Sequence, residues 1–323
     1  MGPSTLDSLE RVGCVTALLF LNHNIPIQTK QCIDNMFDIS HKAKSVIRSG
    51  MKAMLRLPLV WEIVARTVVR PSSYACVLRD EILTELASLK DPQLYSLLSL
   101  RRVLGGPFAG LDYGDVSAKC SALFPKLLGS YEAELHPYLV TAIQQRPDQV
   151  IVVGAAEGYY VAGLAALLPK AQVIAFEGSS SARRQLIKLC NLNGVMERVR
   201  IRGLCSAMDL CELPTPKSLI LVDCEGAEAD ILTTNVISRF ANSEFIVELH
   251  DGYRPGVTSL LETAFACTHI TTIVNAVHDL DRPEHFPLLG DFRLDARENT
   301  LLLRENRTQA CLRWLVAKPS GAQ

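Results

Sequence analysis

At 323 residues the chain can build a substantial core and about two structural units, and 48% hydrophobic with 21% charged residues describes an ordinary soluble globular protein. A formal charge of −1 gives no field that would draw the chain to nucleic acid. Ten cysteines without a C-x-x-C pair, several in apolar runs such as that around Cys14, read as reduced core thiols; they exclude a disulfide or zinc framework and imply a cytoplasmic location. Val15 to Leu21 is apolar but short and lacks a preceding basic region, so it does not read as a signal peptide. Residues 1–128 read as a mostly helical region that serves as a substrate lid, a partner contact or a homodimer contact. Thr29 to Ile47 and Ser49 to Val69 carry helical spacing, with Pro58 breaking the second, and Ser73 to Leu100 continues until Pro92 interrupts it. From His41 to Arg70 there are seven Lys or Arg against one acid, Glu62. That stretch is either a basic face for an anionic substrate, a carrier protein or a membrane surface, or the solvated side of a helical bundle. Gly105-Gly106-Pro107 and the following FAGLDYGD mark a loop and a hinge.

A core then occupies residues 129–323. Ser130 suits an N-cap for a helix from Tyr131 to Gln145, with Glu132 and Glu134 in its first turn, although Pro137 offers a second place for the helix to begin. Val150 to Glu177 organises everything after it: a strand from Val150 to Val153, a glycine turn from Gly154 to Gly158, a helix to about Leu168, and a second strand from Gln172 to Phe176. Its three glycines and strand-turn-helix pattern exclude a membrane span. Continuous apolar strands joined by a helix make a parallel βαβ unit, which binds nucleotide-like ligands at the carboxyl ends of its strands. Gly154 and Gly158 let the backbone approach a ligand, and Glu177 follows Gly154 by 23 residues, about where an acid bridges ribose hydroxyls. A dinucleotide fingerprint fails because Ala156 and Tyr159 stand where G-x-G-x-x-G needs small residues, and no phosphate loop is present. A phosphate-free nucleoside such as S-adenosylmethionine fits better, with Glu157 placed to face its ammonium or sulfonium. Ala155 and Gly178 complete the two turns that border it.

Further along, Ser179 to Asn193 reads as a helix closed by Asn193-Gly194, and Val199 to Ile201 as a third strand. Ser218 to Val222 is a fourth strand that delivers Asp223, Glu225 and Glu228 to its carboxyl end. Three carboxylates so close require a compensating cation, metal, water or raised pKa, unless Glu225 and Glu228 merely satisfy the amides opening a helix. Glu244 to Leu249 is a fifth strand, and alternation sends Glu248 and His250 to one side of the sheet. His250 titrates near neutrality and is the first candidate for proton chemistry, with Asp223 and Glu248 as its company. No metal ligands are assigned, although carboxylates beside a His also permit a divalent cation, with the oxygen ligands favouring magnesium or calcium. Gly256 to Phe265 reads as a helix, Ile270 to Val274 as a sixth strand and Thr300 to Leu303 as a seventh, antiparallel one. His269, His278 and His285 read as surface or loop residues. Pro283, Pro287 and Gly290 break the segment between into a loop over the acceptor pocket.

Five segments, GAAEGYY at 154–160, AFE at 175–177, NLNGV at 191–195, VDCEGAE at 222–228 and VELHD at 247–251, resemble in order and spacing the FkbM-type methyltransferases of the class I fold. The likeness runs from about Gly129 to Pro319. It departs from the family at Val152, where an acid is usual, and does not reach the N-terminal part. The resemblance implies an α/β, Rossmann-like doubly wound, mostly parallel seven-stranded sheet, with S-adenosylmethionine as cofactor. It also implies methyl transfer to a hydroxyl of a small molecule or sugar-like natural product, with His250 or Asp223 aiding deprotonation. The segment from Gly203 to Asp209 falls where this fold holds adenine, so Cys205 and Ser206 are either contacts or turn residues; Tyr131 and Glu132 fall beside the pocket. Arg307 and Trp314 match positions the family often fills, with packing as their default role. Two other readings of the same residues are a cofactor-binding module without transferase activity and a metal-dependent transferase.

Overall fold

A computed structural model describes residues 91–119, 121–286, 292, 294, 296–305 and 313–321. The expected helices from Thr29 to Val69, the basic stretch from His41 to Arg70, most of Ser73 to Leu100, and Pro287, Gly290 and Arg307 lie outside the described residues. The described residues all belong to one compact unit, Ser72–Gln323.

Seven strands form one sheet: β1 (Gln149–Val153), β2 (Gln172–Phe176), β3 (Val199–Arg202), β4 (Ser218–Val222), β5 (Glu244–Leu249), β6 (His269–Asn275) and β7 (Arg313–Pro319). Their order is β3-β2-β1-β4-β5-β7-β6. The first five are parallel, and β7 runs antiparallel between β5 and β6. This is a Rossmann-like, doubly wound α/β fold. The chain winds outward from β1 through β2 to β3, then crosses back to β4, so β1 and β4 flank the switch point whose carboxyl end accepts ligands.

Alternation along each strand divides the core. Val150 and Val152 join one buried cluster, while Ile151 and Val153 join the other on the opposite face. Val152, the departure from the family pattern, is therefore a core side chain. The first cluster also takes Leu94, Phe108, Tyr113 and Leu127, so the segment from Pro92 onward packs into the core of the sheet.

Several expectations are corrected. Pro92 opens a helix, Pro92–Ser99, instead of interrupting one; Asp91 caps it by accepting from the Leu94 amide at 2.9 Å, and a first-turn proline forfeits no helical bond. The helix placed from Tyr131 starts late, as a short 3-10 turn (Ala133–Leu135) followed by His136–Gln144 with Pro137 in its first turn. Ser130 is not its cap, and Glu132 is left-handed with φ 48°. Thr300 to Leu303 is not a strand but the end of a helix, Ala296–Leu303, and the antiparallel strand is β7. Short apolar runs carry no periodicity that separates the two states. His269 is neither surface nor loop: it lies buried in β6, edge-on to Phe245 and Phe265, with Nε2 2.9 Å from the Ser243 carbonyl. Pro283 stands in a helical turn, Arg282–His285.

Candidate functional site

The first half of the site is the bend after β1. Gly154 has φ 82°, and a Cβ there would lie 1.6 Å from the Asp223 carbonyl oxygen, so only glycine lets the tips of β1 and β4 approach this closely. The Asp223 amide donates to the Val153 carbonyl at 2.9 Å and fastens the two tips together. Gly158, also left-handed, turns the chain into the helix Tyr159–Leu167.

Glu177 closes β2 and reaches over this bend. One carboxylate oxygen accepts from the Ala156 amide and the other from the Ser179 amide, both at 2.7 Å. Each oxygen retains a second acceptor position, the chemistry that two vicinal hydroxyls require. Gly178 follows, exposed, and a Cβ on it would meet only the Leu204 side chain. Leu204 and Met208 are 84% and 71% exposed. These two apolar side chains lie within the segment expected to hold a ring and were not singled out in the sequence, because neither sits in a patterned run. Cys205 is buried, and burial pushes its thiol up to about 12. Ser206 is an N-cap in a reciprocal capping box with Asp209, so its hydroxyl serves the turn.

Glu157 is placed differently from expectation. It points into the core, where Lys126 Nζ lies 2.5 Å from one carboxylate oxygen, Tyr113 donates its hydroxyl at 3.0 Å, and the Lys119 amide donates to the other oxygen at 2.9 Å. Its charge is met by Lys126 rather than by a ligand. Ala155 is buried above it. Tyr131 packs edge-on against Tyr159, and Glu132 is buried, accepting from the Tyr160 hydroxyl and donating its amide to Glu305 at 2.8 Å.

The second half gathers at the tips of β4 and β5. Asp223, Glu225 (left-handed, φ 59°) and Gly226 form a tight turn, and Glu228 folds back beneath it. One Glu228 oxygen accepts from the Gly226 amide at 3.0 Å and from the Cys224 amide at 3.3 Å, and meets His250 Nδ1 at 2.7 Å. An oxygen that accepts from two amides is an acceptor here as well, so Nδ1 carries the proton. That leaves Nε2 facing Glu248 at 3.6 Å, Asp223 at 3.8 Å and Glu225 at 4.0 Å. Tyr253 stacks on the imidazole, with ring centroids 5.6 Å apart and planes inclined by 22°.

Burial alone would lower the His250 pKa, but the Glu228 bond and the Asp223, Glu228 and Glu225 charges outweigh it and raise it. Glu228 mirrors this: burial pushes its carboxyl up, and the His250 bond with the amides brings it below the usual value. Burial, then Glu228 and Asp223, drive the Cys224 thiol strongly upward, so that thiol is inert. The structure thus brings Asp223, Glu225, Glu228, Glu248 and His250 together and adds Tyr253. Glu228 is the compensated acid of the three that follow β4. Its spacing in D-x-E-G-x-E was visible, but its partner 22 residues away was not.

No family model and no curated protein matches the chain. Among solved structures, it is similar to the O-methyltransferase TomG from Streptomyces achromogenes, involved in tomaymycin synthesis and in complex with SAM: 15% identity, 60% of this chain and 81% of that one, TM-score 0.42. It is similar to the cofactor-bound protein Rv0187 from MTB at 13% identity, over 61% of this chain and 89% of that one, TM-score 0.39. The SAH-bound methyltransferase PaMTH1 from Podospora anserina matches at 16% identity, over 47% of this chain and 75% of that one, TM-score 0.36. No helix among the described residues is long and apolar enough to cross a membrane.

Proposed function

We propose that this chain is an S-adenosylmethionine-dependent methyltransferase acting on a hydroxyl of a small molecule or sugar-like natural product. The observation that carries the reading is Glu177, whose carboxylate is fastened to the Ala156 amide inside the glycine bend. This sets a diol-binding acid beside a backbone that a phosphate-free nucleoside can approach. Gly154, Ala155, Ala156, Gly158 and Gly178 would border the cofactor, with Leu204, Met208 and Cys205 against its base and Asp223 and Glu225 near its amino-acid end. When bound, the cofactor supplies an activated methyl group. The protein's own work is to align an acceptor in line with it and to help remove the acceptor's proton. Asp223, Glu248 and His250 aid that removal at the tips of β4 and β5, with Glu228 fixing the imidazole.

The test is transfer of labelled methyl from S-adenosylmethionine to a cell extract. The reading expects a labelled small-molecule product that His250→Ala abolishes while S-adenosylhomocysteine binding stays within about twofold. No product from any extract, with binding intact, would favour a cofactor-binding module instead.

A further inference from the structure

We infer that Asp223, Glu248 and His250 form a binding site for a divalent first-row transition-metal cation, which would be the means by which these residues aid deprotonation. The inference rests on the proposed methyl transfer for its purpose, but not for the site itself. One ligand-type atom from each residue lies within 4.8 Å of the other two. The three come from two neighbouring strand tips, and His250 and Glu248 are more than nine-tenths buried.

The imidazole is what separates this cluster from a merely acidic turn. Its Nδ1 proton is committed to Glu228, which two backbone amides hold in turn. Metal-binding histidines are oriented this way, with the far ring nitrogen donating to a carboxylate so that the near one presents its lone pair. Here the near nitrogen, Nε2, faces Glu248 and Asp223 at 3.6 and 3.8 Å. Those spacings exceed a hydrogen bond. They match two donors on either side of an ion held at about 2.1 Å from each, where donors stand roughly 3 to 4 Å apart. One imidazole with two carboxylates favours manganese, iron, cobalt or zinc over calcium and magnesium, which prefer all-oxygen shells. A bound cation would lower the proton affinity of an acceptor hydroxyl beside it.

The test is titration of the full-length, chelator-treated chain with Mn2+, read by calorimetry and by electron spin echo of the Mn2+ complex. The expected result is saturable binding of one Mn2+ per chain with nitrogen modulation from the imidazole that His250→Gln removes. Affinity should fall at least tenfold in Glu248→Gln and about tenfold in Glu228→Gln, the loss typical when an orienting carboxylate is removed. Mn2+ and Zn2+ bound no better by the unaltered chain than by Glu248→Gln, or a Mn2+ complex without nitrogen modulation, would overturn the inference. Should the variants fail to fold, the spin echo of the unaltered chain decides. S-adenosylhomocysteine binding in the same samples keeps the two ideas apart: uptake of the nucleoside without metal removes the cation site alone, and metal without the nucleoside removes the cofactor reading alone.

Discussion

In the fully buried carboxylate of Glu228, two amides and one imidazole converge on a single oxygen. Its charge is one reason the His250 pKa stands above the ordinary value. In chelator-treated protein, Glu228→Gln should bring the His250 titration downward, measured by imidazole NMR; an unchanged titration would contradict the pairing. Lys126 and Glu157 make a second buried pair beneath the glycine bend. Lys126→Met strands that carboxylate and should cost about 3–5 kcal/mol in urea unfolding, as breaking a buried pair does. His269 works in the opposite sense to His250. Burial holds its pKa below 6.5, so the unfolded chain binds the proton more readily. Its contribution to stability is present above about pH 6.5 and is lost as pH falls toward and through the lowered folded value. His269→Gln should flatten the pH dependence of the urea midpoint below pH 6.5; an equally steep dependence would show that His269 is not its source. What the sequence displays at this scale is residue type and local spacing. Glu177 and the Asp223, Glu248 and His250 group were legible because each ends an apolar strand, and strand ends converge. The inward turn of Glu157 was not, because Tyr113 and Lys126 precede it by 44 and 31 residues.

At the scale of elements, the close approach of β1 and β4 depends on one missing side chain. Gly154→Ala puts a Cβ into the Asp223 carbonyl at a left-handed φ. It should cost at least ~2 kcal/mol, as overpacking and strain together do, and should weaken S-adenosylhomocysteine binding along with stability. A variant with unaltered thermal midpoint and binding would contradict the described junction. All five parallel strands were readable; for four of them the reason is that strands buried on both faces are near-continuous apolar runs, and Val150–Val153 and Ser218–Val222 are of that kind. Thr300 to Leu303 looks the same over four residues yet folds as a helical end, since so short a run is decided by what it packs against. The late start of the helix at His136 was half visible in Pro137, while the left-handed Glu132 before it had no signal because no glycine or asparagine marks the position.

For the whole molecule, the switch point between β1 and β4 places the glycine bend with Glu177 and the His250 cluster along one carboxyl edge of the sheet. On the proposed function one half takes a nucleoside, and the other takes an acceptor and its proton. In the proposed function an adenosine compound without phosphates occupies the first half, held by Glu177. Equilibrium dialysis of S-adenosylhomocysteine against the 323-residue chain tests it most directly, with Glu177→Ala alongside. The expected result is uptake of one molecule per chain and an affinity at least about tenfold lower in the variant, the worth of hydrogen bonds to a charged acceptor. No uptake, or equal uptake by Glu177→Ala, would contradict it.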